Sequence, residues 1–134
     1  MSDCIFCKII SKEIPAEIIY EDDNTLAFLD INPINVGHTL VIPKAHHENI
    51  FDMPEDILSK AVLVLRKVAK SLDKISDGIN IGQNNRLAAN QLVNHFHFHV
   101  IPRFENDGLK HWPGKIYNES EGKSVAEKIR ENLE

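Results

Sequence analysis

From residue 91 to residue 102 the chain alternates. His95, His97 and His99 take every second position, and Phe96, Phe98 and Val100 fill the places between and after them. Residues two apart on a β-strand share a face. The segment therefore predicts a strand with one apolar side for a core and one histidine side facing something polar. Four shorter strands are expected by the same reasoning. Residues 17–21 and 25–30 flank the acidic turn Asp22-Asp23-Asn24, residues 38–42 end at Pro43, and residues 79–83 run into the polar loop 84–90.

Elsewhere the period changes. Ile57, Ala61, Val64, Leu65, Val68 and Leu72 recur at helical spacing behind Asp52-Met53-Pro54-Glu55. Asp52 is expected to cap this long helix, with Glu55 at the capping-box position and Pro54 in the first turn. Lys60, Arg66, Lys67 and Lys70 form its solvated side. Residues 4–11 suggest a short helical turn carrying Ile5, Phe6, Ile9 and Ile10. Val125, Ile129 and Leu133 suggest a short amphipathic terminal helix. The order of elements predicts one domain over residues 1–134. It is an α+β meander: a five-stranded antiparallel sheet with one long helix and short terminal helices.

Composition narrows the class. With 43% apolar and 26% charged residues the chain is globular, and a net charge of −5 argues against binding to duplex nucleic acid. No apolar run approaches the roughly 18 residues of a membrane span, and no signal-peptide pattern opens the chain. A cytoplasmic location is expected. The only cysteines, Cys4 and Cys7, are too close in sequence to build a disulfide framework. They read as half of a zinc site, as inert thiols, or as a redox pair. The histidine face suits two chemistries. It can ligate a metal, or it can supply a nucleophilic imidazole with neighbours that hold phosphate oxygens.

Several segments in order carry a resemblance. They are Cys4-Ile5-Phe6-Cys7-Lys8-Ile9-Ile10, Leu26-Ala27-Phe28-Leu29-Asp30-Ile31, Gly37-His38-Thr39-Leu40-Val41-Ile42-Pro43-Lys44, His95-x-His97-x-His99 and His111-Trp112-Pro113-Gly114. Together they resemble the histidine triad (HIT) superfamily, in its nucleotide-binding branch. The resemblance implies a homodimeric hydrolase or transferase acting on nucleoside phosphoramidates or related nucleotidyl compounds. It implies His97 as nucleophile, through a covalent nucleotidyl-histidine, and His99 as the partner that handles phosphate and proton.

The resemblance further implies that a purine nucleotide is held by Phe6, Ile9, Phe28, Leu29, Asp30, Ile31, His38, Asn84, Gln91 and His99, with Ile5 beside the base. Asp30 would accept the ribose hydroxyls. It implies a structural zinc on Cys4, Cys7, His46 and His95, with His47 as a competing ligand. It also sends Trp112 toward the partner's active site. Two positions depart from the pattern: Asn90 stands where many members have glycine, and Leu92 where they have serine. Leu92 has no hydroxyl to donate to a leaving group. Asn90 can adopt a left-handed backbone if the glycine served that purpose. A dinucleoside polyphosphate hydrolase, a nucleotide-binding interaction protein with vestigial catalysis, and a metallohydrolase using all three triad histidines are the competing readings.

Overall fold

The computed structural model describes residues 3–134. Short helix α1 (Ile5–Ile10) leads into strands β1 (Ile18–Glu21), β2 (Thr25–Leu29) and β3 (Thr39–Pro43). The long helix α2 (Glu55–Asp73) follows, then β4 (Gly78–Gln83), β5 (Phe98–Arg103) and α3 (Glu121–Glu131). All neighbouring strands pair antiparallel in the order β1-β2-β3-β5-β4. The sheet is thus not a plain meander, because β5 inserts between β3 and β4. The residue types suit this. β5 and β3 carry apolar side chains, whereas Gly78, Asn80, Gly82 and Gln83 leave β4 fit for an edge.

Two apolar layers cover the sheet. Ala27, Val41 and Val100 pack under Val64, Leu65, Val68 and Leu72 of α2. Leu26, Phe28, Leu40 and Ile42 turn to the other face and meet Phe6 and Ile9 of α1. β2 and β3 are covered on both sides, which explains why apolar residues follow one another without alternation at 26–29 and 40–43.

Two expectations need correction. The fifth strand begins at Phe98, not at residue 91. The ladder with β3 stops at the pair Val41–Phe98, and the N–H of Phe96 donates instead to the carbonyl of His47 at 2.7 Å. Residues 91–97 peel away from the sheet. His95 and His97 therefore stand ahead of the strand and only His99 lies on it. At α2, Asp52 does not cap the long helix. It closes a capping box with Asn49 around the 3-10 turn Ile50–Asp52, and Pro54 takes the cap position of α2 without a side-chain bond.

Beyond β5 the chain leaves the domain. Trp112 and Ile116 are exposed, and no residue of α3 is buried. Among the described residues, no helix is long and apolar enough to cross a membrane.

Candidate functional site

Four histidines converge where β3 and β5 lie side by side. His95, His97 and His38 are buried, and His99 is half-buried opposite Leu40 in the ladder. Their hydrogen bonds fix the tautomers, because a carbonyl only accepts and a backbone N–H only donates. His97 Nδ1 lies 2.7 Å from the carbonyl of His95, so Nδ1 carries the proton and Nε2 keeps a free lone pair. The N–H of Ile34 donates to His38 Nδ1 at 3.0 Å, which puts the proton of neutral His38 on Nε2. That nitrogen lies 3.0 Å from His99 Nδ1, which must accept, leaving His99 with a proton on Nε2. His97 and His99 stand with ring centroids 4.8 Å apart, one a ready nucleophile and the other a ready donor.

A backbone group holds the second nitrogen of the His97 ring. The carbonyl of His95 does that, and His38 holds His99 instead.

Burial sets the charge of this group. Desolvation lowers the pKa of His38 and His97 below the ordinary imidazole value and takes His95 and His99 down to about 4. All four are neutral at pH 7. Asp30 approaches His38 Nε2 at 3.7 Å and opposes the shift in His38, His97 and His99. Asp30, His38 and His99 lie close enough to suggest a second metal site. The tautomers argue otherwise: ligation through His38 Nε2 would move its proton to Nδ1, against the N–H of Ile34.

The remaining expected residues divide. Asp30 is partly exposed beside His38, and one of its oxygens accepts the N–H of Asn32 at 2.8 Å. Phe6 meets the His97 ring edge to face at 5.1 Å, so it braces the nucleophile as well as the core. Ile9 and Phe28 belong to the same buried layer, Leu29 is half-buried, Ile5 is partly exposed and Ile31 is exposed. Asn84 is half-buried within 3.5 Å of the carbonyl of Asn90. Gln91 is buried, but its side chain is committed. It accepts the N–H of Arg86 at 2.7 Å and donates to the carbonyls of Glu48 and Val93. It braces the loop and is not free to hold a phosphate. Asn90 adopts φ +70°, the left-handed conformation that its place in the pattern demanded.

Cys4, Cys7, His46 and His95 form a second cluster. Cys4 Sγ and Cys7 Sγ lie 3.5 and 3.6 Å from His95 Nδ1, and Cys7 Sγ lies 3.3 Å from His46 Nδ1. A tetrahedral zinc with ordinary Zn–S and Zn–N bonds separates its ligands by about 3.6 Å. His95 Nε2 donates to the carbonyl of Pro43 at 2.8 Å, which leaves Nδ1 unprotonated and turned to the sulfurs. The residues fit zinc. His47 is outside this set. Its Nδ1 is 4.0 Å from Asp52, and its buried Nε2 has no partner among the described residues. Burial and the adjacent Cys4 push the Cys7 thiol up to about 11 without a metal.

Sequence reasoning missed one constellation. Asp107 receives Arg103 through Nε at 2.7 Å and Nη2 at 3.0 Å, and Asn35 Nδ2 at 3.0 Å. The i, i+4 spacing of Arg103 and Asp107 was the available signal. The loop between them gave no helix to which that spacing would apply.

Comparisons with known proteins bear on the family and the fold. The family model described as HIT domain matches residues 11–106. The chain is 40% identical over 140 residues to adenosine 5'-monophosphoramidase HNT1 of Candida albicans, covering 98% of this chain and 92% of that protein. A HIT family member from Bacillus subtilis superposes with a TM-score of 0.90 at 36% identity, covering 98% of both chains. A Zn-bound histidine triad family protein from Mycobacterium smegmatis superposes with a TM-score of 0.78 at 36% identity, covering 98% of this chain and 99% of that one.

The burial of neutral imidazoles sets a pH dependence. Histidines whose folded pKa is depressed contribute stability that is present above the unfolded value of about 6.5 and lost as protons are taken up below it. The melting temperature should therefore fall as pH drops from about 6.5 toward about 4, the folded value of His95 and His99. Calorimetric melts across that range check it; a flat profile would contradict the neutral, buried assignment.

Proposed function

The chain belongs to the HIT domain family, and on that premise we propose that it cleaves nucleoside phosphoramidates or related nucleotidyl compounds at the α-phosphate, with His97 as the nucleophile. The observation that carries this reading is the tautomer pair: an unprotonated Nε2 on His97 beside a protonated Nε2 on His99. In the first step His97 Nε2 forms a bond to the α-phosphorus. The bond from phosphorus to the leaving group breaks, and that group departs with the electron pair, accepts a hydrogen bond from Nε2–H of His99, and takes its proton from solvent. Positive charge that develops on the His97 ring is stabilised by the bond from Nδ1–H to the His95 carbonyl. In the second step water attacks the same phosphorus, loses its proton to solvent, and releases the mononucleotide as Nε2 regains its lone pair.

Asp30 is suited to the ribose hydroxyls, being acceptor-only when ionised. Phe6, Ile9 and Phe28 line the buried side of the base region, and Ile31 covers it from the exposed side. The name of the Candida albicans relative supports phosphoramidate as the substrate class. A second reading, nucleotide binding with weak turnover, is favoured by Leu92, an exposed residue with no hydroxyl for a leaving group.

Zinc on Cys4, Cys7, His46 and His95 would be a closed structural clamp, with no open position for substrate. Holding His95 also holds the carbonyl that orients His97. A homodimer is proposed as well, through surface that the core leaves exposed. Ala61, Val64, Leu65, Val68 and Leu72 are consumed by the chain's own core. Val62 and Leu63 of α2, together with Ile81 on the β4 edge, remain exposed and would form the two-fold contact.

Replacement His97→Ala should lower turnover of an adenosine phosphoramidate by several orders of magnitude while AMP binding persists. Mass spectrometry of acid-quenched wild type should show an adenylyl adduct absent from the variant. Near wild-type turnover in His97→Ala would exclude the mechanism, and an adduct-free, inactive wild type would favour the binding reading. Elemental analysis should find about one zinc per chain, lost along with thermal stability in Cys4→Ser/Cys7→Ser; metal retained in that double variant would rule out the cluster. Light scattering should report about twice the 15.2 kDa chain mass, and Leu63→Glu should return it toward the monomer.

A further inference from the structure

His95 and His97 lie ahead of the β5 ladder, so a few individual ties hold the segment that carries them. The N–H of Phe96 donates to the carbonyl of His47, and His95 Nε2 donates to the carbonyl of Pro43 at 2.8 Å. The other ties are sulfurs. Cys4 Sγ and Cys7 Sγ both reach His95 Nδ1, at 3.5 and 3.6 Å, and Cys7 Sγ reaches His46 Nδ1 at 3.3 Å. His46 adjoins His47, whose carbonyl holds Phe96. Between the two cysteines in the chain stands Phe6, whose ring meets that of His97 at 5.1 Å. A change at the sulfurs therefore reaches the nucleophile through the His95 ring, through the His46–His47 backbone and through Phe6.

The same pair is open to reagents from outside. Both cysteines are partly exposed, although the His95 ring behind them is fully buried. Cys4 Sγ also accepts the N–H of Cys7 at 3.4 Å, so the two residues meet across one turn. Their sulfurs and the two imidazole nitrogens lie within 4.8 Å of one another, which puts a sulfur–sulfur bond of about 2.0 Å within reach of side-chain rotation. With a metal bound, both sulfurs are thiolates, the form that oxidants attack.

We propose that Cys4 and Cys7 are an oxidant-reactive pair, and that their closure to a disulfide by a hydroperoxide frees His46 and His95 and slackens the hold on His97. One thiolate attacks an oxygen of the hydroperoxide. The O–O bond breaks, the sulfur becomes a sulfenic acid, and water or an alcohol leaves after taking a proton from solvent. The other thiolate attacks that sulfur, the S–O bond breaks, and the oxygen departs as water with a second proton from solvent. The sulfurs together lose two electrons and the peroxide gains them. Only thiolates ligate, so both sulfurs withdraw from the cluster together. His95 Nδ1 then lacks its partners, and the His95 carbonyl is free to turn from Nδ1–H of His97. A dithiol reverses the reaction. The effect on turnover rests on the nucleotidyl-transfer reading above; the disulfide does not.

The test takes the protein as purified, with its metal, and treats it with hydrogen peroxide. Trypsin cuts after Lys8, so residues 1–8 leave as one peptide that contains both cysteines. That peptide should become lighter by two hydrogens, and zinc should reach a chromogenic chelator in step with it, at about one ion per disulfide. Turnover of an adenosine phosphoramidate should fall by at least about tenfold while AMP affinity changes by less than about twofold. Nitrogen NMR of isotope-labelled histidines, with the His97 signals assigned by His97→Ala, should show a fixed Nδ1–H tautomer in the reduced protein and a mixture in the oxidised one. Dithiothreitol with zinc should restore every readout, which oxidised methionine would not allow. Cys7→Ser should show no such reversible fall. A peptide that gains oxygen in place of losing hydrogen, or a disulfide that leaves the His97 signals unchanged, would overturn the proposal. Reduced wild type that turns over nothing would remove the functional reading alone, because disulfide, zinc and tautomer are read without substrate.

Discussion

The 2.7 Å bond from His97 Nδ1 to the carbonyl of His95 is the interaction on which the rest of the site depends. It fixes the lone pair of His97 on Nε2. It also joins two clusters that the chain could have built separately. His95 presents its own Nδ1 to Cys4 and Cys7, gives its Nε2 proton to Pro43, and offers its carbonyl to the nucleophile. A shift of the His95 backbone would therefore loosen the metal-type cluster and rotate the reactive ring together. The first helix takes part in both through neighbouring residues, since Cys7 faces His95 while Phe6 packs on His97.

Burying four imidazoles in one place has a direct electrostatic consequence. Each charge would be taken out of water beside other rings, so all are driven toward the neutral form. Neutral imidazole is what a nucleophile requires, and it is also what a metal ligand requires. Neutrality leaves each ring with one donor and one acceptor. The protein then uses backbone groups, which cannot change role, to decide which nitrogen is which. The N–H of Ile34 decides for His38, and His38 decides for His99.

The tail beyond β5 follows a different logic. It buries almost nothing, so apolar packing cannot place it. A charged hub does so at its root, where Asp107 gathers Arg103, Asn35 and two backbone N–H groups from Phe104 and Leu109. A two-point guanidinium–carboxylate pair has directional geometry that a surface contact between single charges lacks. That is how a strap with little core of its own comes to stand beside His99.

Much of this was legible in the chain. Helical spacing from Ile57 to Leu72 determined the one long helix, because five of the six stripe residues are buried on the same side. The apolar runs of residues 26–29 and 40–43 suit strands covered on both faces, and β2 and β3 are so covered. The spacing of Cys4, Cys7, His95, His97 and His99 marked the chemistry, and the family pattern put His46 forward with His47 as a competitor; only the fold brings His46 to the sulfurs and turns His47 to Asp52. Local pattern has a limit at the triad. Alternation put three histidines on one strand face, but the ladder ends at Phe98, and the choice of partner for the N–H of Phe96 is a long-range matter. The insertion of β5 between β3 and β4, the commitment of Gln91 to three backbone groups, and the gathering of Asn35, Arg103 and Asp107 were likewise decided only by the tertiary structure. Periodicity reports which face a residue turns to. It carries no information about which distant group will meet it there, and in this protein such meetings set the tautomers of His95 and His99.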